Sequence, residues 1–314
     1  MYKPKPVLPR AFQRLITLLI TLLGLTIAAG CTPPSKPESA QTPIPPPTFA
    51  PTTTSAPTRT ATQASVVTPS PTASRTIIPC TPASLEYGTV GIGLLDKPMD
   101  YHVILPPCYA EQTQKHYPVL YLLHGQNANQ DQWLRLGIAE AAERLMLAGD
   151  IPPFLIVLPF DHSYKQPREY RFEEVFLEQL IPTIDQSYRT LPKRDSRAIG
   201  GLSRGGAWSI YITSRHPEYF GVVGAHSPAV FYSNTSALPV RLRDIPPEQR
   251  PIFYIDAGDK DIEFREIQKF TNLLNDLGIP HEWHYNLGAH DEKYWSSHVE
   301  EYLRWYAGQL PPSP

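Results

Sequence analysis

Gly200-Gly201-Leu202-Ser203-Arg204-Gly205-Gly206 joins a short predicted strand, Arg197 to Gly201, to a predicted helix, Ala207 to Arg215. Its core is a G-x-S-x-G pentapeptide set between strand and helix, the context of a nucleophile elbow. Such a turn strains the serine backbone and crowds its flanks, so small residues belong at 201 and 205. It lifts the Ser203 hydroxyl above the sheet edge and aims a helix N-terminus at any developing oxyanion. The pentapeptide alone also fits a plain glycine-rich turn.

Working outward, apolar runs alternate with amphipathic stretches. Strands are predicted at Tyr101 to Leu105, Val119 to Leu123, Phe154 to Leu158, Val222 to Ala225, Ile252 to Ala257 and His281 to Asn286. Helical spacing covers Leu136 to Leu147, with Gly149 as its C-cap, then Phe172 to Tyr188, Glu263 to Leu277 and Val299 to Trp305. Pro182 is expected to bend the second of these. Short, wholly apolar strands alternating with helices predict an α/β fold, a mostly parallel sheet with helices on both faces.

A serine hydroxyl is a weak nucleophile and needs a base, itself oriented by a third group. In the α/β-hydrolase fold the chain order is Ser, then Asp or Glu, then His. Downstream, Ile255-Asp256-Ala257-Gly258-Asp259-Lys260-Asp261 runs from strand into loop, and Leu287-Gly288-Ala289-His290-Asp291 follows the next strand. Both lie at C-terminal strand ends, where α/β sheets place their sites. His290, on a Gly-Ala turn, suits a base. Asp256 reads as structural, whereas pattern alone barely separates Asp259 from Asp261. His226 follows another strand and is a candidate for the pocket lining. The oxyanion needs two backbone N–H donors, and Arg204 and Gln126 occupy the right turns. His124 is expected to support its loop. No cluster of His and Cys has zinc spacing, and the implied chemistry needs neither metal nor cofactor.

These segments resemble the Esterase family of the α/β-hydrolases. That family includes feruloyl esterases of xylanase systems, enterochelin esterases, S-formylglutathione hydrolase and the mycolyltransferases of the antigen 85 group. The matching pieces are Tyr101 to Pro107, Tyr117 to Gly125 with Trp133 after it, Gly200 to Gly206, Gly258 to Asp261 and Gly288-Ala289-His290. In order they span most of residues 85 to 306. The family's acid is the last Asp of a G-x-x-D turn, so the resemblance implies Asp261. The family often carries a tryptophan two residues after the histidine. Here Glu292 stands there and Trp295 comes later, which leaves the wall beside His290 open.

The N-terminus implies export. Lys3, Lys5, Arg10 and Arg14 precede an apolar run from Leu15 to Ala29. That run is short for a spanning helix, which needs about 20 residues. Ala28-Ala29-Gly30-Cys31 then resembles a bacterial lipobox, so residues 1–31 read as a signal peptide with Cys31 as the lipidated residue. An ordinary signal peptide and a retained anchor are the alternatives. All three place the rest of the chain outside the cytoplasm or in the cell envelope.

Residues 32–79 hold 12 of the chain's 36 prolines and form a predicted disordered linker, because that density builds no core. Residues 80–310 form the esterase domain, roughly the size of one α/β domain. Outside the cytoplasm Cys80 and Cys108 are free to pair, with two unpaired thiols as the alternative. A formal net charge of -2 and no basic face give no reason to expect nucleic acid.

The expected function is therefore serine ester hydrolysis through an acyl-enzyme. Candidate substrates are polysaccharide-linked esters and siderophore esters, and the expected membrane attachment is the lipid. Acyl transfer to an alcohol, as in the mycolyltransferases, uses the same triad and stays open. So does an inactive glycan-binding module, although the intact Ser, Asp and His speak against it.

Overall fold

The computed structural model describes residues 80–313 of the chain. The predicted signal peptide with Cys31 and the predicted linker 32–79 lie outside the described residues. The strands are β1 (Ser84–Val90), β2 (Met99–Leu105), β3 (Val119–Leu123), β4 (Leu155–Pro159), β5 (Arg197–Leu202), β6 (Val222–His226), β7 (Ile252–Lys260) and β8 (His281–Ala289). They form one sheet in the order β1-β2-β4-β3-β5-β6-β7-β8. Strand β2 runs antiparallel to both its neighbours, and every other pairing is parallel.

The helices are α1 (Gln132–Arg135), α2 (Ile138–Ala148), α3 (Phe172–Val175), α4 (Ile181–Ser187), α5 (Arg204–Arg215), α6 (Leu238–Asp244), α7 (Phe264–Leu277) and α8 (Glu292–Gln309). Alternate residues of the central strands feed two cores. Val119, Tyr121, Leu123, Ile199 and Val223 pack with residues of α3 to α7 on one face. Leu120, Leu122, Ala198 and Val222 pack with residues of α2 and α8 on the other. All residues of β3, β4, β5 and β6 are buried, which is why these strands read as apolar runs without alternation. The sheet is the mostly parallel α/β-hydrolase architecture expected from the sequence.

The details differ in instructive ways. The helix expected from Leu136 begins at Ile138, because Gly137 takes φ 90° and separates it from α1. Gly149 caps it with φ 76°, as expected. The stretch from Phe172 widens into a π-helical turn, Phe176–Leu180, just before Pro182. Pro182 has no N–H to give to the carbonyl four residues back, and a wider turn accommodates this. Cys80 and Cys108 are joined by a disulfide, which ties the start of the described chain to the turn after β2.

The strand order matters most at β4-β3-β5. Having reached β4 on one side of β3, the chain returns to place β5 on the other. A doubly wound sheet opens a crevice at such a reversal, outside the carboxyl ends of its strands. Ser203 follows β5 and Gly125 follows β3, so the fold places both at that crevice.

Candidate active site

Ser203 sits between β5 and α5 with φ 53° and ψ −115°, a conformation that non-glycine residues rarely adopt. Holding it costs on the order of 1–3 kcal/mol and requires strong constraints nearby. They are present. The Ser203 N–H donates to the His226 carbonyl at 2.8 Å, and its own carbonyl accepts from Ala207 at 3.0 Å and Ala229 at 3.1 Å. The flanking glycines permit the turn. A Cβ at Gly201 would lie 2.5 Å from the Gly205 carbonyl carbon, and one at Gly205 would lie 2.2 Å from the Leu123 oxygen.

His290 follows β8 and precedes α8, whose N-terminus is capped by Asp291 accepting from the Tyr294 N–H at 2.9 Å. Its Nε2 lies 2.8 Å from Ser203 Oγ and its Nδ1 lies 3.0 Å from Asp261 Oδ1. With Nδ1–H donating to the carboxylate, Nε2 is left to accept the serine proton. The structure thus brings Ser203, His290 and Asp261 into one hydrogen-bonded chain.

It also separates the two aspartates that sequence pattern could not. Asp259 Oδ1 accepts from the Gly288 N–H at 2.8 Å and holds the loop leading to His290 rather than its ring. The Asp261 side chain is fully buried. Burial pushes its pKa up, but hydrogen bonds from His290 and from the Glu263 amide, with the nearby Ser227 hydroxyl, outweigh this and leave it below the ordinary value.

Gln126 and Arg204 line one small cavity of about 80 Å³, beside His124, Gly125 and the segment Phe160 to Tyr164. The Arg204 amide begins α5, where a helix leaves its N–H groups unpaired. The Gln126 amide is aimed from behind. His124 Nδ1 donates to the Gly125 carbonyl at 2.7 Å, while His124 Nε2 accepts from the Asp161 N–H at 2.9 Å. Burial lowers the His124 pKa and favours this neutral tautomer. In a trans peptide the N–H points opposite to the C=O. Pinning the Gly125 carbonyl toward His124 therefore turns the Gln126 N–H the other way. His124 supports its loop, as expected.

His226 does not line the pocket. It is fully buried, with Nδ1 3.0 Å from Asp256 Oδ1 and Nε2 3.0 Å from the Tyr306 hydroxyl. Asp256 also accepts from the hydroxyls of Tyr294 and Tyr302, each at 2.7 Å, which makes it a structural anchor for α8. The open wall beside His290 is filled by Trp295, whose ring meets the imidazole edge-to-face at 5.1 Å.

Two residues of the site carried no sequence signal of their own. Asp161 Oδ2 accepts from Arg204 Nε and from Trp208 Nε1, each at 2.7 Å, so a buried ion pair fastens the elbow to the loop after β4. Only its place just past a strand's C-terminal end hinted at a role. Gln132, 5% exposed, accepts from the Gly125 N–H at 2.8 Å. Among the described residues, no group of three or more His, Cys, Asp or Glu is placed to hold a metal ion.

Comparison with known proteins agrees with this geometry. A Xylanibacter ruminicola protein named endo-1,4-beta-xylanase/feruloyl esterase is 31% identical over 212 residues, which are 64% of this chain and 28% of that protein. The chain spans about half or less of the length of the curated relatives that match it at 31% identity. A solved ferulic acid esterase superposes with a TM-score of 0.66 at 24% identity, covering 73% of this chain and all of that one. The esterase AmCE1/Fae1A from Anaeromyces mucronatus, solved with ferulic acid, gives 0.60 at 22% identity, covering 73% of this chain and 93% of that one. The Esterase family model matches residues 93–311, and the chain belongs to that family.

Proposed function

We propose that this chain is an exported serine hydrolase of carboxylic esters that works through a covalent acyl-enzyme. The observation that carries the reading is the hydrogen-bonded chain from Ser203 through His290 to Asp261, with the serine held in a strained turn. His290 Nε2 takes the hydroxyl proton as Ser203 Oγ attacks the ester carbonyl. Asp261 keeps the imidazole in the required tautomer and stabilises its charged form. The Gln126 and Arg204 amides receive the oxyanion, where preorganised donors act most strongly. His290 then protonates the departing alcohol. Water, activated by the same imidazole, attacks the acyl-enzyme and releases the acid and Ser203.

Esters of phenolic acids are the favoured substrates, supported by the feruloyl and ferulic acid esterases among the similar proteins. Export is supported by the charged and apolar N-terminal run. The Cys80–Cys108 disulfide suits an oxidising compartment. Attachment through a lipid on Cys31, with 32–79 as the tether, completes the reading.

The test is hydrolysis of methyl ferulate and p-nitrophenyl acetate by the purified chain, beside Ser203→Ala. Turnover of both, lost in the variant and higher in kcat/KM for the ferulate, is the expected result. Turnover unaffected by Ser203→Ala would overturn the proposal. Acyl transfer to an added sugar at the expense of hydrolysis would make the chain a transferase.

A further inference from the structure

The two halves of the proposed machinery sit on loops far apart in sequence. One is the oxyanion turn at Gly125 and Gln126, after β3. The other is the His290 loop, after β8. A single side chain joins them. Gln132 Oε1 accepts from the Gly125 N–H at 2.8 Å, and Gln132 Nε2 donates to Glu292 Oε1 at 3.1 Å. Glu292 opens α8, two residues after His290, and also accepts from Arg135 Nη2 at 3.1 Å. Gln132 and Arg135 are the two ends of the one-turn helix α1. Between them Trp133 Nε1 donates to the Leu123 carbonyl at 3.0 Å, so α1 is itself clamped to the end of β3.

We infer that Gln132 and Glu292 form a strut that sets the position of the Gln126 amide relative to His290, with Gln132 as a positioning residue. It rests on the proposed ester chemistry for its kinetic consequence, though not for its structural one. The physical reason is geometric. The Gly125 carbonyl is already pinned by His124, and Gln132 pins the amide on the other side of the same residue. With both ends of Gly125 held, the next N–H has one orientation. Glu292 is half exposed, but its charge polarises the Gln132 amide along a donor–acceptor chain, which strengthens the bond to Gly125.

The test is a swap. Gln132→Glu keeps an acceptor for the Gly125 N–H but sets its carboxylate against that of Glu292 at hydrogen-bond distance, and the two repel. Its kcat on p-nitrophenyl acetate is expected to fall about tenfold to a hundredfold, the scale of a misplaced catalytic group, with KM little changed. Glu292→Gln alone still accepts from Gln132 and Arg135 and should act within about threefold of the parent, since the polarising charge is lost but the chain is kept. Combined with Gln132→Glu it re-forms the donor–acceptor chain in reverse and restores kcat. Failure of the double variant to recover, or a loss confined to KM, overturns the strut.

Amide hydrogen exchange provides a readout independent of turnover. Gln132→Leu should speed exchange in segments 124–127 and 289–293 together. Faster exchange at 124–127 alone would also overturn it. If the parent shows no esterase activity, the proposed function fails while the exchange result still decides the strut.

Discussion

Replacing Asp161 with alanine exposes how strongly the elbow is braced. Asp161 Oδ2 takes two hydrogen bonds of 2.7 Å, from the Arg204 guanidinium and the Trp208 indole, and Oδ1 takes a third from the Ser163 N–H at 3.0 Å. The side chains of the ion pair are 5% and 4% exposed. Alanine leaves the guanidinium charged and buried, with its remaining bond to the Lys165 carbonyl at 2.9 Å. Breaking one side of a buried pair typically costs about 3–5 kcal/mol. That is a large share of the 5–15 kcal/mol that holds a typical domain together. With a urea slope of about 3 kcal/mol per molar, suited to a domain of this size, the midpoint should fall by roughly 1 to 2 M. The assay is urea unfolding followed by tryptophan fluorescence. A double replacement, Asp161→Leu with Arg204→Met, removes both charges and keeps the volume, so it should cost less than Asp161→Ala. A midpoint lowered by less than about 0.3 M, or a double variant less stable than the single, would refute the reasoning.

Other expectations follow from the same contacts. Asp261→Asn should lower kcat by about 10⁴, the penalty for the wrong imidazole tautomer, whereas Asp259→Asn, which loses only a loop contact, should change it by less than about tenfold; steady-state kinetics ranks them, and the reverse order would reassign the acid. Because the folded-state pKa of Asp261 is depressed, its stabilisation is complete above the unfolded carboxylate value of about 3.9 and is lost as pH falls through the lower folded value. The gap in thermal midpoint between the parent and Asp261→Asn should therefore shrink as pH is lowered below 4, and a gap constant with pH would contradict this. Replacing Cys80 and Cys108 with alanine opens a crosslink between residues 28 apart, with a loss of about 3–4 kcal/mol in unfolding experiments. A variant as stable as the parent would show that the bridge adds nothing.

Much of this protein was legible before folding. The buried runs at Val119 to Leu123 and Val222 to Ala225 announced central parallel strands because both faces had to be apolar. The G-x-S-x-G turn announced Ser203 because only glycines survive the close approach of the Leu123 carbonyl. The exposed edge strand β1, Ser-Leu-Glu-Tyr-Gly-Thr-Val, escaped notice, since its residues are mostly solvent-facing and carry no apolar rhythm. So did α6, seven residues long with Pro239 in its first turn. Residue pattern alone left Asp259 and Asp261 open; the family's G-x-x-D turn pointed to Asp261, and the structure places that carboxylate on His290 Nδ1 while Asp259 holds the Gly288 amide. Asp161 and Gln132 were hidden for a simpler reason. Their value lies in hydrogen bonds to partners brought close by the sheet, such as Arg204, 43 residues on, and Glu292, 160 residues on.

The central claim is that Ser203 is a nucleophile activated by His290. A fluorophosphonate probe tests it most directly, because the probe bonds only to an activated serine. Mass spectrometry after labelling should show one adduct per chain, on the peptide containing Ser203, absent in Ser203→Ala and slowed by orders of magnitude in His290→Ala. An adduct elsewhere, or labelling at an unchanged rate without His290, would contradict the account.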